Sequence, residues 1–297
     1  MTVMIGVVSQ KGGVGKSTIS RLVAREYAAA GWTVKIADLD ISQGTSTDWK
    51  QRREQSALQP EIAVEPFRTV IQAVKVAPLY DLLVFDGPPH SMAGTLEIAR
   101  TSDIVVLPTG LSLDDLKPTV LLAHELVEAG LVADRIAVGL CRVGDRENEI
   151  EEARRYIDKA GYNTLKGALP EKTAYRRARD EGRAASEVTF PTLKEKAERL
   201  AQSIIDLIGA RQSRAVAGAC LRRPRRRPAV SSQKANRRSA QLPAVTLTSL
   251  SLLRRWLSTS VSRLSSSAIL RLQPLLRHYA VRAFAASSKA RPDRIMG

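Results

Sequence analysis

The stretch SQKGGVGKST, Ser9 to Thr18, constrains this 297-residue chain more than any other. It follows an apolar run (Val3, Met4, Ile5, Val7, Val8) and precedes a helical pattern starting at Lys16. Strand, glycine-rich turn and helix in that order make a phosphate-binding loop. Backbone N–H groups from Gly12 to Lys16 turn inward at a helix N-terminus, and glycines at 12, 13 and 15 let a phosphate come close. Lys16 can set its ammonium against the β- and γ-phosphates, and the Ser17 hydroxyl can ligate Mg²⁺. The loop nevertheless departs from the usual G-x-x-x-x-G-K-[ST] spacing. Gln10 stands where the first glycine belongs, and an additional lysine, Lys11, follows it.

Downstream, short aliphatic runs alternate with helical patterns. Strands are expected at Val3–Val8, Thr33–Ala37, Ile62–Val64, Leu82–Phe85, Ile104–Leu107, Ile136–Leu140 and Thr164–Ala168. Helices are expected at Lys16–Ala30, Gln43–Ser56, Val70–Ala77, Gly94–Arg100, Leu113–Ala129, Glu147–Lys159, Thr173–Glu181 and Thr192–Ile208. Near-continuous aliphatic strands separated by helices imply a parallel sheet covered on both faces. The expected fold is α/β, a doubly wound, mostly parallel sheet of the P-loop NTPase type, with ligands at the carboxyl ends of the strands.

Two acidic positions complete the candidate site. VKIADLD closes a strand with Asp38 and Asp40, and YDLLVFDGPPH closes another with Asp86. A carboxylate ending an aliphatic strand beside the loop is where a P-loop enzyme holds Mg²⁺, usually through water. Asp38 reads more readily as a structural residue at a strand end. Taken with Gln43-Gly44 and Gly87-Pro88-Pro89, these motifs resemble the deviant Walker A ATPases, and within them the ParA partition ATPases. VVLPTGLSLDDL (Val105–Leu116) and LPEKTAYRRARDEGRAASE (Leu169–Glu187) are similar to later segments of that family.

The resemblance implies a slow, partner-stimulated ATPase that takes ATP and Mg²⁺. Lys11, Lys16 and Asp40 are its expected catalytic residues. The residues expected to cradle ATP are Lys11, Gly12, Gly13, Val14, Gly15, Lys16, Ser17 and Thr18, with Ser17 and Asp86 on the metal. In such ATPases the Lys11 position reaches across a face-to-face ATP-sandwich dimer to the partner's phosphates, as an arginine finger does elsewhere. Lys11→Ala is therefore expected to bind ATP yet not dimerise. Asp40 matches the position that orients the attacking water. One departure is plain: Ile41-Ser42-Gln43 follows Asp40 where the family usually has Pro-Gln, so proline's fixed φ is absent from this loop.

The resemblance further implies an ATP-state homodimer that binds DNA without sequence preference, and a cargo-bound ParB-like adaptor that stimulates hydrolysis and release. Arg176, Arg179 and Arg183 share a helix face, and together with Lys172 they are the candidate DNA contacts. The competing reading of that helix is a solvated face with Arg176–Asp180 and Arg177–Glu181 pairs. A cytoplasmic, nucleoid-associated location is expected.

The net charge of +16 belongs to one end of the chain. Residues 211–297 hold 19 Lys and Arg and a single acid, Asp293, which leaves 27 basic and 29 acidic residues for 1–210. An ATPase domain over 1–210 and a basic Arg/Ser/Leu-rich tail over 211–297, disordered or partly an amphipathic helix, are expected. Leu250, Leu253, Leu257, Val261, Leu264 and Ala268 fall at helical spacing, ended by Pro274. An Arg-rich amphipathic helix can lie on anionic lipid, so a membrane-surface ATPase resembling MinD is the alternative. A positioning ATPase without DNA binding, or a tail that is an unselected extension, also stays open.

No apolar run approaches the roughly 20 residues of a membrane-spanning helix. The first strand opens at Val3, so neither a secretory signal nor an N-terminal helix-turn-helix is expected. Two cysteines, Cys141 and Cys220, make no disulfide framework, and Cys141 reads as core. Three scattered histidines (His90, His124, His278) suggest no metal site, and Trp32 and Trp49 read as packing residues.

Overall fold

In the computed structural model the described residues are 2–41, 43–89 and 91–221, with side chains to residue 214. The Leu250–Ala268 stripe, Pro274, His90, His278 and nearly all of the tail lie outside them. Strands β1 (Val3–Val7), β2 (Val34–Asp38), β3 (Ala63–Pro66), β4 (Leu82–Asp86), β5 (Ile104–Thr109), β6 (Ile136–Val143) and β7 (Asn163–Pro170) form one sheet. Their spatial order is β3-β2-β4-β1-β5-β6-β7, and every pairing is parallel. The helices are α1 (Lys16–Ala29), α2 (Thr45–Gln55), α3 (Val70–Val76), α4 (Met92–Thr101), α5 (Leu113–Glu128), α6 (Glu147–Lys159), α7 (Thr173–Asp180) and α8 (Pro191–Leu221). This is the doubly wound α/β architecture of P-loop NTPases.

The central strands β1, β4 and β5 are mostly apolar because they bury both faces, whereas β3 and β7 at the sheet edges expose Glu65, Pro66, Asn163 and Lys166. Ile5, Val84 and Val106 join α1, α2 and α8 in one core, with Leu22, Tyr27, Trp49, Leu200 and Ile204. The alternate residues Leu83, Phe85, Val105 and Leu107 join α3 to α6 in the other, with Ile98, Leu122 and Ile157. Trp32 packs edge-on against Tyr27, with ring centroids 4.8 Å apart. Trp49 and Cys141 are likewise buried, as their surroundings in the sequence suggested.

Register then places the site. Asp38 and Asp86 are direct partners on β2 and β4, and Val7 of β1 is level with Asp86. Both carboxylates therefore end at the same edge where the loop leaves β1. That edge is also the switch point, since the connection after β4 crosses β1 to reach β5.

Several boundaries shift by one or two residues, and three differences have a clear local cause. Helix α2 starts at Thr45, not Gln43, because Gly44 is left-handed at φ 53. β6 runs on past Leu140 to Val143, through register shifts that accommodate polar Arg142 at φ 56. Helix α8 continues past Ile208 to Leu221. Gly209 costs a helix only about 1 kcal/mol, and the Ala- and Arg-rich residues after it favour helix.

Candidate functional site

The Ser9–Thr18 loop joins β1 to α1 through Gly13 (φ 74) and Gly15 (φ 113), backbone angles that side chains rarely adopt. A Cβ at Gly15 would also come within 3.1 Å of the Cys141 side chain, so the core behind the loop demands glycine there. Burial pushes the Cys141 thiol up to about 12, which makes it an inert wall. Ser9 Oγ accepts the Lys11 N–H (3.1 Å), bracing the turn.

Lys16, the first residue of α1, is buried, and its Nζ donates to the Lys11 carbonyl at 3.2 Å. The ammonium is thus held over the loop. Burial lowers its pKa, with the Asp86 and Asp40 charges opposing that shift. Lys11 is half exposed, and its Nζ donates to Asp115 Oδ1 at 2.6 Å at the start of α5. That hydrogen bond, helped by one from Ser112 and against slight burial, holds the Asp115 carboxyl below the usual range. Within one chain Lys11 therefore bridges the loop to Asp115.

The carboxylates divide their tasks. Asp38 is fully buried, and its Oδ2 accepts the backbone N–H groups of Ser46 (3.1 Å) and Thr47 (3.2 Å). Its Oδ1 accepts the Asp40 N–H at 3.1 Å. It anchors the N-terminus of α2 and the loop before it, where the helix dipole favours an anion. Burial, then the Asp86 charge, pushes its pKa up. Asp40 lies on the rim, where its Oδ1 accepts the Gln43 N–H (3.3 Å).

Asp86 fits a metal-holding role. Its Oδ2 accepts the Ser46 hydroxyl at 2.7 Å, while its buried Oδ1 has no hydrogen-bond partner among the described residues. Such an orphaned carboxylate oxygen is what a metal-bound water satisfies. Ser17 Oγ lies 3.0 Å from Thr45 Oγ1. Ser17 and Asp86 would hold Mg²⁺, which when bound offsets charge on the phosphates.

Beside the loop lies a cavity of about 300 Å³, walled by Gly13, Gly15 and Thr18, by Cys141 and Arg142, by Leu169 and Pro170, and by α7. Lys172, Arg176, Arg179 and Arg183, read from the sequence as DNA contacts, all line it. Helix α7 is thus a wall of this cavity as well as a basic surface. The helix ends at Asp180, so Arg183, beyond left-handed Gly182, does not share its face as the spacing suggested. The ion pairs in and around α7 are not the two expected at i, i+4. Arg179 pairs with Asp180 (3.3 Å), Arg183 with Glu181 (3.2 Å) and Lys172 with Asp145 (2.7 Å), while Arg176 donates to Thr173.

The loop, Lys16, Ser17, Asp38, Asp40 and Asp86 thus meet at one edge of the sheet, as the motifs implied. Reading the sequence missed Arg142, whose Nη1 approaches the Gly13 carbonyl at 3.4 Å, and Asp115. It also missed Ser46 and Arg21, although an arginine inside the apolar run ISRLV was a visible signal. His124 is taken up by a hydrogen bond with Tyr162 at 2.7 Å.

The CobQ/CobB/MinD/ParA nucleotide-binding domain model matches residues 5–185. Among solved structures, the cell division ATPase MinD of Pyrococcus furiosus is similar at 20% identity, TM-score 0.56, over 70% of this chain and all of its own. A Borrelia burgdorferi B31 protein described as a plasmid partition protein, bound to AMPPNP, is similar at 17% identity, TM-score 0.55, over 69% of this chain and 99% of its own. McdA(D38A) of Cyanothece in complex with ATP is similar at 14% identity, TM-score 0.54, over 68% and 96%. At these identities the likeness is one of fold. A search of curated proteins found no match.

Proposed function

The chain belongs to the CobQ/CobB/MinD/ParA family of nucleotide-binding domains, and we propose that it is a DNA-partition ATPase whose ATP-bound form is a homodimer. Residues 1–210 supply the ATPase domain, and the basic 211–297 segment adds affinity for polyanions. Loop N–H groups and Lys16 hold the phosphates, Asp86 and Ser17 face Mg²⁺, and Asp40 on the rim orients water. Lys11 leaves Asp115 to meet the partner subunit's ATP, so dimer formation reports that ATP is present. A ParB-like adaptor stimulates hydrolysis, which returns Lys11 to Asp115 and releases DNA in the nucleoid-associated, cytoplasmic setting of partition.

The observation that supports DNA over other partners is the placement of α7. Its arginines line the cavity beside the loop, so the basic surface is built onto the nucleotide site itself. Clustered arginines bind backbone phosphate without reading bases. Filter binding with ATP and Mg²⁺ should retain random-sequence duplex, with affinity falling about 100-fold between about 50 and 200 mM salt for some four cationic contacts. Retention that ignores ATP, or none at all, contradicts the DNA reading. ATP-dependent sedimentation with anionic liposomes instead would favour the MinD-like membrane role.

A further inference from the structure

Around Asp86 a buried chain of hydrogen bonds leads back to Arg21, which also lines the cavity beside the loop. Arg21 of α1 is 3% exposed, and its Nε donates to Ser46 Oγ at 3.3 Å. Ser46 Oγ in turn donates to Asp86 Oδ2 at 2.7 Å. A guanidinium has donors only, so a hydroxyl that accepts from it must send its one proton elsewhere. Asp86 receives that proton, and the polarity of the chain is set from Arg21 to Asp86.

Each member is pinned from a second direction. The Ser46 backbone N–H is held by Asp38 Oδ2 (3.1 Å). The Arg21 guanidinium lies 5.5 Å from the centre of the Trp49 ring, whose indole N–H donates to the Arg183 carbonyl (3.1 Å). Arg21 is also the buried cation beside two carboxylates, Asp38 and Asp86, that are register partners on neighbouring strands. A residue serving only to fill space between α1 and α2 needs no charge there, because burying an arginine is costly unless anions offset it.

We propose that Arg21 and Ser46 are positioning residues that anchor one oxygen of Asp86 so that the other faces the metal site in a fixed direction. This rests on the reading of the loop as an ATP·Mg²⁺ site. Partners that orient a metal-holding carboxylate typically change metal affinity about 10- to 100-fold.

The test is the dissociation of a fluorescent ADP from the full chain, followed as Mg²⁺ is titrated. Ser46→Ala should raise the half-saturating Mg²⁺ about 10-fold or more with metal-free ADP affinity unchanged, and Arg21→Lys should raise the half-saturating Mg²⁺ likewise. Ser46→Thr, which keeps the hydroxyl, should restore the wild-type value. Should Arg21→Lys fail to fold, the two Ser46 variants decide alone. Wild-type Mg²⁺ dependence in Ser46→Ala, beside a normal wild-type response, overturns the relay. A wild-type chain that holds the nucleotide no better with Mg²⁺ overturns the ATP·Mg²⁺ reading and the relay with it.

Discussion

Lys16→Ala should lower affinity for a fluorescent ATP analogue by about 100-fold, measured by titration in the presence of Mg²⁺. The side chain is buried, its Nζ is held by the Lys11 carbonyl, and the nearby Asp86 and Asp40 charges favour its cationic form. A charge-assisted hydrogen bond to phosphate in such a place contributes about 1.5–3 kcal/mol, and every 1.4 kcal/mol is tenfold in affinity. The fold should survive, because the cation's one hydrogen bond among the described residues is to a carbonyl of the loop. Unchanged affinity would mean that the loop does not use Lys16 on phosphate, against the chemistry assigned to this sheet edge.

Arg53→Ala should cost the domain about 3–5 kcal/mol, the usual penalty for breaking a buried ion pair. Arg53 is 2% exposed and lies 5.4 Å from the Trp49 ring centre. Its guanidinium donates to both Glu187 oxygens (2.7 and 3.1 Å), to Pro60 O and to Gly182 O. It ties α2 to the segment after α7, where Gly182 passes so close that a Cβ would lie 2.3 Å from the Arg53 backbone nitrogen. Chemical denaturation with urea would measure the loss.

The same cluster sets an acid dependence. Burial alone would push the Glu187 carboxyl up. Hydrogen bonds from Arg53 and the Ala184 N–H, with the Arg53 and Arg25 charges, outweigh that and hold it below the usual 4.5. The unfolded chain then binds the proton more readily. Stability from Glu187 is complete above about pH 4.5 and declines as the pH falls through its lower, folded value. Arg53→Ala should flatten that acid limb, and an unchanged limb with unchanged stability would show the cluster to be inert.

The sheet was legible because its central strands bury both faces and so read as short aliphatic runs that helical patterns separate. The loop and the strand-end aspartates were legible because phosphate chemistry demands glycines, a lysine and a hydroxyl at fixed spacing. Long-range pairings left no such trace. Arg21 meets Ser46 and Arg53 meets Glu187 across 25 and 134 positions, and only the fold brings them together. Asp115 stood inside a recognised motif, yet its hold on Lys11 depends on where α5 begins relative to the loop. Helix α7 read as basic, but nothing in its spacing said that it walls the cavity beside the loop.

Lys11, at 42% side-chain exposure and hydrogen-bonded to Asp115, is proposed as the charge that couples ATP to dimer formation. Light scattering with a non-hydrolysable ATP analogue and Mg²⁺ tests it directly, comparing the wild-type chain with Lys11→Ala. The wild type should double its mass only with the analogue, and Lys11→Ala should bind the analogue with near-normal affinity yet keep the mass of one chain. A Lys11→Ala variant that dimerises like the wild type would rule out Lys11 as that coupling charge.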